Sequence, residues 1–141
     1  MLIIKEFKST DLIDLKTVRE INNLVYDSDI KERFDFGDFL YLGFIDDKLV
    51  AIEIFRLEKF DDGEVIPRFI HIIYHPCIKR SKQVVVFLVR NERSMIRNGY
   101  NRVWAYILKN RMDMVTLARK FGFKDIEFNG DGYTLIKKIG V

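Results

Sequence analysis

Cysteine occurs once in the 141 residues, at Cys77, so the chain can close no disulfide on itself. That suits a reducing compartment, and a cytoplasmic location is expected. Proline occurs twice, at Pro67 and Pro76, and no Pro-, Gly- or Ser-rich stretch reads as a linker. Internal repeats are also lacking, and a single domain over 1–141 is expected. No apolar run approaches the roughly 20 residues that cross a bilayer, so no membrane partner is expected. The opening segment meets charge at Lys5 and Glu6, too soon for a signal peptide. Histidine is limited to His71 and His75. On a strand rising about 3.3 Å per residue these would stand about 13 Å apart, too far for one ion, and no metal is expected. The net charge of +3 is smaller than a dedicated phosphate-backbone binder shows, so it does not by itself imply a nucleic-acid partner.

What is present suffices for a core. Hydrophobic residues make up 48% and charged residues 32%, a balance of folded rather than disordered chains. Segment 2–7 reads as a first strand. Ser9, Thr10 and Asp11 are helix N-cap types, and Leu12, Leu15, Val18, Ile21, Leu24 and Val25 follow at helical spacing. That helix is expected to fray near Asp27-Ser28-Asp29, with a short helix or loop through Ile30, Phe34 and Phe36 to Gly37. Strands over 39–45 and 49–57 flank Asp46-Asp47-Lys48, a hairpin signal. A turn at 60–63 leads to a strand over 65–74, buried on both faces where isoleucine is densest, and stopped by His75-Pro76. A helix over 81–98 places Val85, Leu88, Val89, Met95 and Ile96 on its apolar face, and Gly99 stops it. A strand over 102–108, a helix over 112–121 stopped by Gly122, and strands over 126–128 and 133–139 complete the order. Interleaving of strands and helices in the second half predicts an α/β (α+β) domain. Its mixed, mostly antiparallel sheet has six or seven strands, with helices on both faces.

That element order, with two local patterns, resembles the GNAT N-acetyltransferase superfamily over nearly the whole chain. The first pattern is Tyr74-His75-Pro76 followed by Cys77 to Val84 and a helix. In the family a hydrophobic-x-Pro step ends the central strand. An Arg/Gln-x-x-Gly-x-Gly/Ala loop then holds the pyrophosphate of acetyl-CoA on backbone N–H groups and a helix N-terminus. The resemblance therefore implies acetyl-CoA as co-substrate, bound by Lys79, Arg80, Ser81, Lys82, Gln83 and Val84. It implies a backbone donor at Ile73 or Tyr74 for the thioester oxygen. Lys82 and Val84 stand where the family has glycine, and the Val84 Cβ is expected to crowd the phosphate. The second pattern runs from Asn110 to Gly122-Phe123, and implies a cofactor contact at Asn110. Ala118 stands where many members carry the tyrosine that protonates the leaving thiolate. The low-glycine loop, the small size and Lys8-Ser9-Thr10-Asp11 also resemble divergent phage-type members, including a small internal virion protein.

Direct acyl transfer to an amine needs a base as well as a cofactor. His71 on the central strand suits it, because histidine titrates near neutrality. Glu53 on the preceding strand is the other base; against it, an acid at that position also fits the wet face of a half-buried strand. Where family carboxylates often sit, this chain has Arg68 and Ile70. Tyr74, Tyr106 and Tyr133 are replacement acids or plain core aromatics. Cys77 belongs to no nucleophile pattern. Lys79, Arg80, Lys82, Arg90, Arg93 and Arg97 form a basic set on or beside one helix, which reads as a solvated face, a CoA phosphate site or a surface for nucleic acid or an acidic protein.

Two functions follow, beside nucleic-acid binding through the basic helix face as a third reading. One is an N-acyltransferase moving acetyl from acetyl-CoA to an amine on a small molecule or protein, with Glu53, His71 and Tyr106 as catalytic groups. The other is a GNAT-fold phage protein without catalysis, acting as a virion or host-protein binding component. The terminal hairpin leaves a sheet edge with which a second copy could pair as a homodimer.

Overall fold

A computed structural model describes residues 1–28 and 36–140. The expectations at Asp29, Ile30 and Phe34 lie outside the described residues. The elements are β1 (Leu2–Lys8), α1 (Leu15–Tyr26), β2 (Phe39–Ile45), β3 (Lys48–Lys59), β4 (Val65–Tyr74), a 3₁₀ turn (Pro76–Ile78), α2 (Lys82–Arg97), β5 (Arg102–Leu108), α3 (Met112–Lys120), β6 (Lys124–Phe128) and β7 (Gly132–Lys138). Seven strands form one mixed sheet in the order β1-β2-β3-β4-β5-β7-β6. The β4–β5 pair is parallel, and β1–β2, β2–β3, β5–β7 and β6–β7 are antiparallel. No helix among the described residues is long and apolar enough to cross a membrane.

Contacts divide the chain into two compact units, Met1–Phe55 with Ile70–Asn91 and Arg56–Phe69 with Glu92–Val141. In the first unit, Ile45 pairs with Lys48 across a two-residue turn. Asp46 (φ 50°) and Asp47 (φ 63°) both take the left-handed conformation that matches the twist of a tight hairpin. Leu40, Leu42 and Phe44 of β2, Ile52 and Ile54 of β3 and Ile73 of β4 pack against Ile21 and Leu24 of α1. Gly43 points the other way, and a Cβ there would meet the Phe87 ring of α2 at 3.0 Å. Successive strand residues face opposite sides. Hence α1 and α2 lie on opposite faces of this part of the sheet, as the sequence predicts.

In the second unit, α3 sets Val115 against Ala105 and Ile107 of β5 and Leu135 of β7. Both predicted glycine stops hold. Gly99 (φ 94°) and Gly122 (φ 95°) are left-handed, and the following N–H groups of Tyr100 and Phe123 reach back to Met95 O and Ala118 O. That closes the two helices with the 6→1 bond of a Schellman cap.

Three expectations are corrected. Helix α1 starts at Leu15, because Asp14 is its cap and accepts the Thr17 N–H at 2.7 Å. Asp11 instead closes a turn by accepting the Lys8 N–H. Leu12 and Leu15 are consequently 96% and 65% exposed, not core. On α2 the inward residues are Val84, Phe87, Asn91, Ser94 and Met95, while Val85, Val89 and Ile96 face out. The run Val84 to Val89 is apolar at every position, so its composition does not choose the phase; the space left by Gly43 for Phe87 does. Finally, β4 is half-buried over Arg68 to Ile72 rather than enclosed on both faces. Ile70 and Ile73 both pack on the α1 side, out of step with a period of two, so the strand departs from regular alternation at His71 and Ile72.

Candidate functional site

The first unit assembles most of the residues singled out in the sequence. Strand β4 is held to β3 as far as His75, whose N–H donates to Val50 O at 2.7 Å. Pro76 then ends the ladder, and the chain turns through the 3₁₀ segment. The His75 Nδ1 accepts the Cys77 N–H at 3.0 Å and caps that turn. Lys79 and Ser81 donate their N–H groups back to Pro76 O and Ile78 O. Arg80 takes φ 68°, a left-handed conformation that costs a residue with a Cβ about 1–2 kcal/mol. This kink sets Ser81 as the cap of α2, where its Oγ accepts the Gln83 N–H at 3.2 Å.

Two backbone donors remain. The N–H groups of Arg80 and Lys82 have no partner among the described residues. The side chains of Lys79, Arg80 and Lys82 are exposed or at the surface, and none joins an ion pair among the described residues. Free N–H groups at a helix N-terminus, under three cations with no acid matched to them, form an anion-binding arrangement. Val84 is buried, so its side chain packs inward rather than crowding the open side of the loop. A pyrophosphate fits this donor set.

Beneath α2 lies a second cluster. Glu53 of β3 is 4% exposed, not on a wet face, and its Oε1 accepts the Asn91 Nδ2 at 2.9 Å. Asn91 Oδ1 and the Tyr74 hydroxyl are buried with no partner. Burial, and then the Glu53 charge, push the Tyr74 phenol well above its ordinary range. Such a phenol can offer a hydrogen bond to developing negative charge but does not readily give up its proton. The sequence reading missed Asn91. Its signal was an amide in the ladder Phe87-Asn91-Met95, where the neighbours one turn away are apolar and fully buried.

The remaining residues are dispersed. Ile73 is buried in the α1-side core, with Tyr74 following it at the end of β4. His71 is half-buried on β4, at the irregular stretch. In the second unit the Tyr106 hydroxyl is engaged by the β6–β7 turn. It donates to Asn129 Oδ1 at 3.3 Å, and Asn129 Nδ2 lies 3.1 Å from it. Asn110 is exposed in the turn between β5 and α3, and Ala118 packs beside the α3 core. No group of three or more potential metal-ligating side chains occurs among the described residues.

The seven-strand mixed sheet, with its central strand β4 ended at Pro76 and leading into the capped start of α2, is the architecture to be compared with known proteins. No protein-family model matches the sequence, and no curated protein matches it. Solved structures do match over almost the full chain. A putative GNAT-family acetyltransferase from Desulfovibrio desulfuricans superposes with a TM-score of 0.78 at 10% identity, covering 99% of this chain and 100% of that one. The ribosomal-protein-S18-alanine N-acetyltransferase of Escherichia coli gives 0.67 at 12% identity, with 100% and 96% covered. Arabidopsis thaliana Naa50, solved with a CoA-containing bisubstrate analogue, gives 0.60 at 14% identity, with 96% and 98% covered. The chain has the GNAT fold.

Proposed function

We propose that the protein is an acyl-CoA-dependent N-acyltransferase that passes an acetyl group directly to an amine on a small molecule or protein. The observation that carries this reading is the loop after Pro76. It leaves the Arg80 and Lys82 N–H groups unmatched beneath Lys79, Arg80 and Lys82, in a chain with the GNAT fold. Acetyl-CoA supplies the activated thioester. Lys79, Arg80 and Lys82 bind its phosphates by charge, and the Arg80 and Lys82 amides by hydrogen bonding. Ser81 fixes the first turn of α2 through Gln83, and Val84 anchors that turn in the core.

Among the three catalytic groups expected from sequence, the base is assigned to His71, a half-buried imidazole on β4. Glu53 is closed off beneath α2, and the Tyr106 hydroxyl is held by Asn129. The imidazole takes the proton of the attacking amine, and a backbone N–H near Ile73 or Tyr74 binds the thioester oxygen. Asn110 is assigned to the distal part of the cofactor. The rival reading, a GNAT-fold binding or virion component without catalysis, draws on Ala118, which has no proton to give a leaving thiolate.

Calorimetric titration with acetyl-CoA tests the choice. Saturable binding is expected, weakened about tenfold or more in Lys79→Ala/Arg80→Ala as charge-assisted contacts are lost. No heat at millimolar cofactor would sink the acyltransferase reading and leave the binding component.

A further inference from the structure

We propose that Asn129 is a self-modifying residue: its side-chain amide reacts with the backbone nitrogen of Gly130 and leaves aspartate or isoaspartate in the β6–β7 turn. The inference goes beyond the acyltransferase reading and does not rest on it. The sequence holds two Asn-Gly steps, at 98–99 and 129–130. Glycine after asparagine puts no side chain in the way of the attacking nitrogen. In an unfolded chain the two steps are chemically alike. The fold treats them in opposite ways.

At Asn129 the donors converge on one atom. Oδ1 accepts the Asp131 and Gly132 N–H groups, each at 2.9 Å, and the Tyr106 hydroxyl at 3.3 Å. Backbone N–H groups meet an oxygen and not an amide nitrogen, so the two donors fix which way the amide points. Its Nδ2 then stands 3.1 Å from the Tyr106 hydroxyl oxygen. The Gly130 N–H has no partner among the described residues. The space around Gly130 is open, since a Cβ there would meet nothing within 4 Å. At Asn98 each of these features is reversed. The Gly99 N–H donates to Ile96 O at 3.0 Å, Asn98 Nδ2 donates to Ser94 O at 2.8 Å, and Oδ1 accepts nothing among the described residues. The nucleophile is tied there, and no donor awaits the charge that attack would create.

The step needs only water and hydroxide. Hydroxide takes the Gly130 amide proton, and the nitrogen attacks Asn129 Cγ. The new N–C bond drives negative charge onto Oδ1, where the three donors already point. The Cγ–Nδ2 bond then breaks. The leaving nitrogen takes a proton from the Tyr106 hydroxyl and departs as ammonia, and water returns that proton and restores hydroxide. A second water opens the succinimide ring, at the side-chain carbonyl to give aspartate or at the main-chain carbonyl to give isoaspartate. Isoaspartate adds a methylene to the main chain between Phe128 and Tyr133, which pair across the hairpin, and at the residue whose N–H donates to Gly132 O at 3.2 Å. Either product removes the amide NH₂ that Asn129 presents to Tyr106.

The full chain is aged in mildly alkaline buffer, folded in one arm and unfolded in urea in the other, and digested with trypsin. The two Asn-Gly steps fall in separate fragments, and mass spectrometry follows the exchange of NH₂ for OH in each. In the folded protein Asn129 should convert about tenfold or more faster than Asn98, because only its carbonyl oxygen meets waiting donors and only its nucleophile is free. In urea the two should convert at comparable rates. Tyr106→Phe should slow Asn129 in the folded arm and leave the urea arm unchanged. Equal conversion of the two residues in the folded protein, or faster conversion of Asn98, overturns the proposal. So does slower conversion of Asn129 in the folded protein than in urea, which would mean that the turn shields the amide instead of activating it. These wild-type arms decide even where Tyr106→Phe disturbs the hairpin.

Discussion

Glu53 and Glu58 lie on one strand, yet Glu53, in the first unit, is enclosed, while Glu58, in the second, is partly open to solvent. Glu53 is held beneath α2 by an amide, with Tyr74 close enough to feel its charge. Glu58 lies between two arginines, half open to solvent. The described ion pairs Arg102–Asp62, Arg119–Asp125 and Lys137–Glu92 all belong to the second unit. In the first unit, the cations Lys79, Arg80 and Lys82 stand without a matched acid among the described residues. Matched surface charges contribute little to stability and serve orientation. Unmatched ones are available to a ligand. Under the acyltransferase proposal, anion binding and chemistry would fall in the first unit.

The largest expected effect tests where the chemistry resides. His71→Ala should lower the turnover of acetyl-CoA with an accepted amine by about a hundredfold, the loss typical of a general base. Tyr106→Phe, in the second unit, should leave turnover within about threefold, since its hydroxyl serves a turn. The reverse ranking in steady-state rates of CoA release would break the comparison.

Next in size is the buried amide. Asn91→Leu leaves Glu53 beneath α2 without that donor and should cost about 2 kcal/mol in urea unfolding. Arg56→Ala should cost less than about 1 kcal/mol, because the pair it breaks is partly exposed. Equal costs would mean that the enclosed and rim carboxylates are not in different regimes.

The smallest effect is on acid sensitivity. Burial works to raise the Glu58 carboxyl, but the bonds and charge of Arg68 and then Arg56 prevail and hold it below its usual 4.5. A lowered folded-state value stabilises the fold at pH above the unfolded value, and that contribution disappears as pH falls through the lowered one. Glu58→Gln should therefore flatten the decline in Tm below about pH 4.5, with little change in slope above it. A decline as steep as that of the wild type would remove Glu58 from the acid response.

Much of the fold was legible in the sequence, because period and punctuation are local properties. The turn at Asp46-Asp47, the stops at Gly99 and Gly122 and the break at Pro76 lie where the residues alone put them. The start of α1 was not, since Asp11 and Asp14 are equally good caps and only competition for the Lys8 and Thr17 amides separates them. For the site, the Lys79 to Val84 loop was legible as a motif, whereas the burial of Glu53 and its pairing with Asn91 were not. Those two residues lie far apart in sequence, and each taken alone reads as a polar residue on a half-wet element.

The sequence by itself determined which segments are strands and helices, where they stop, and that a cationic loop opens α2. Hydrophobic period and backbone preference act over a few residues, so a linear string carries them. Tertiary structure alone decided which face of α2 turns inward, which carboxylate is enclosed and which cations are left unmatched. Each of those depends on what a second, distant segment presents: Gly43 opposite Phe87, Asn91 opposite Glu53, and one Glu58 shared between two arginines.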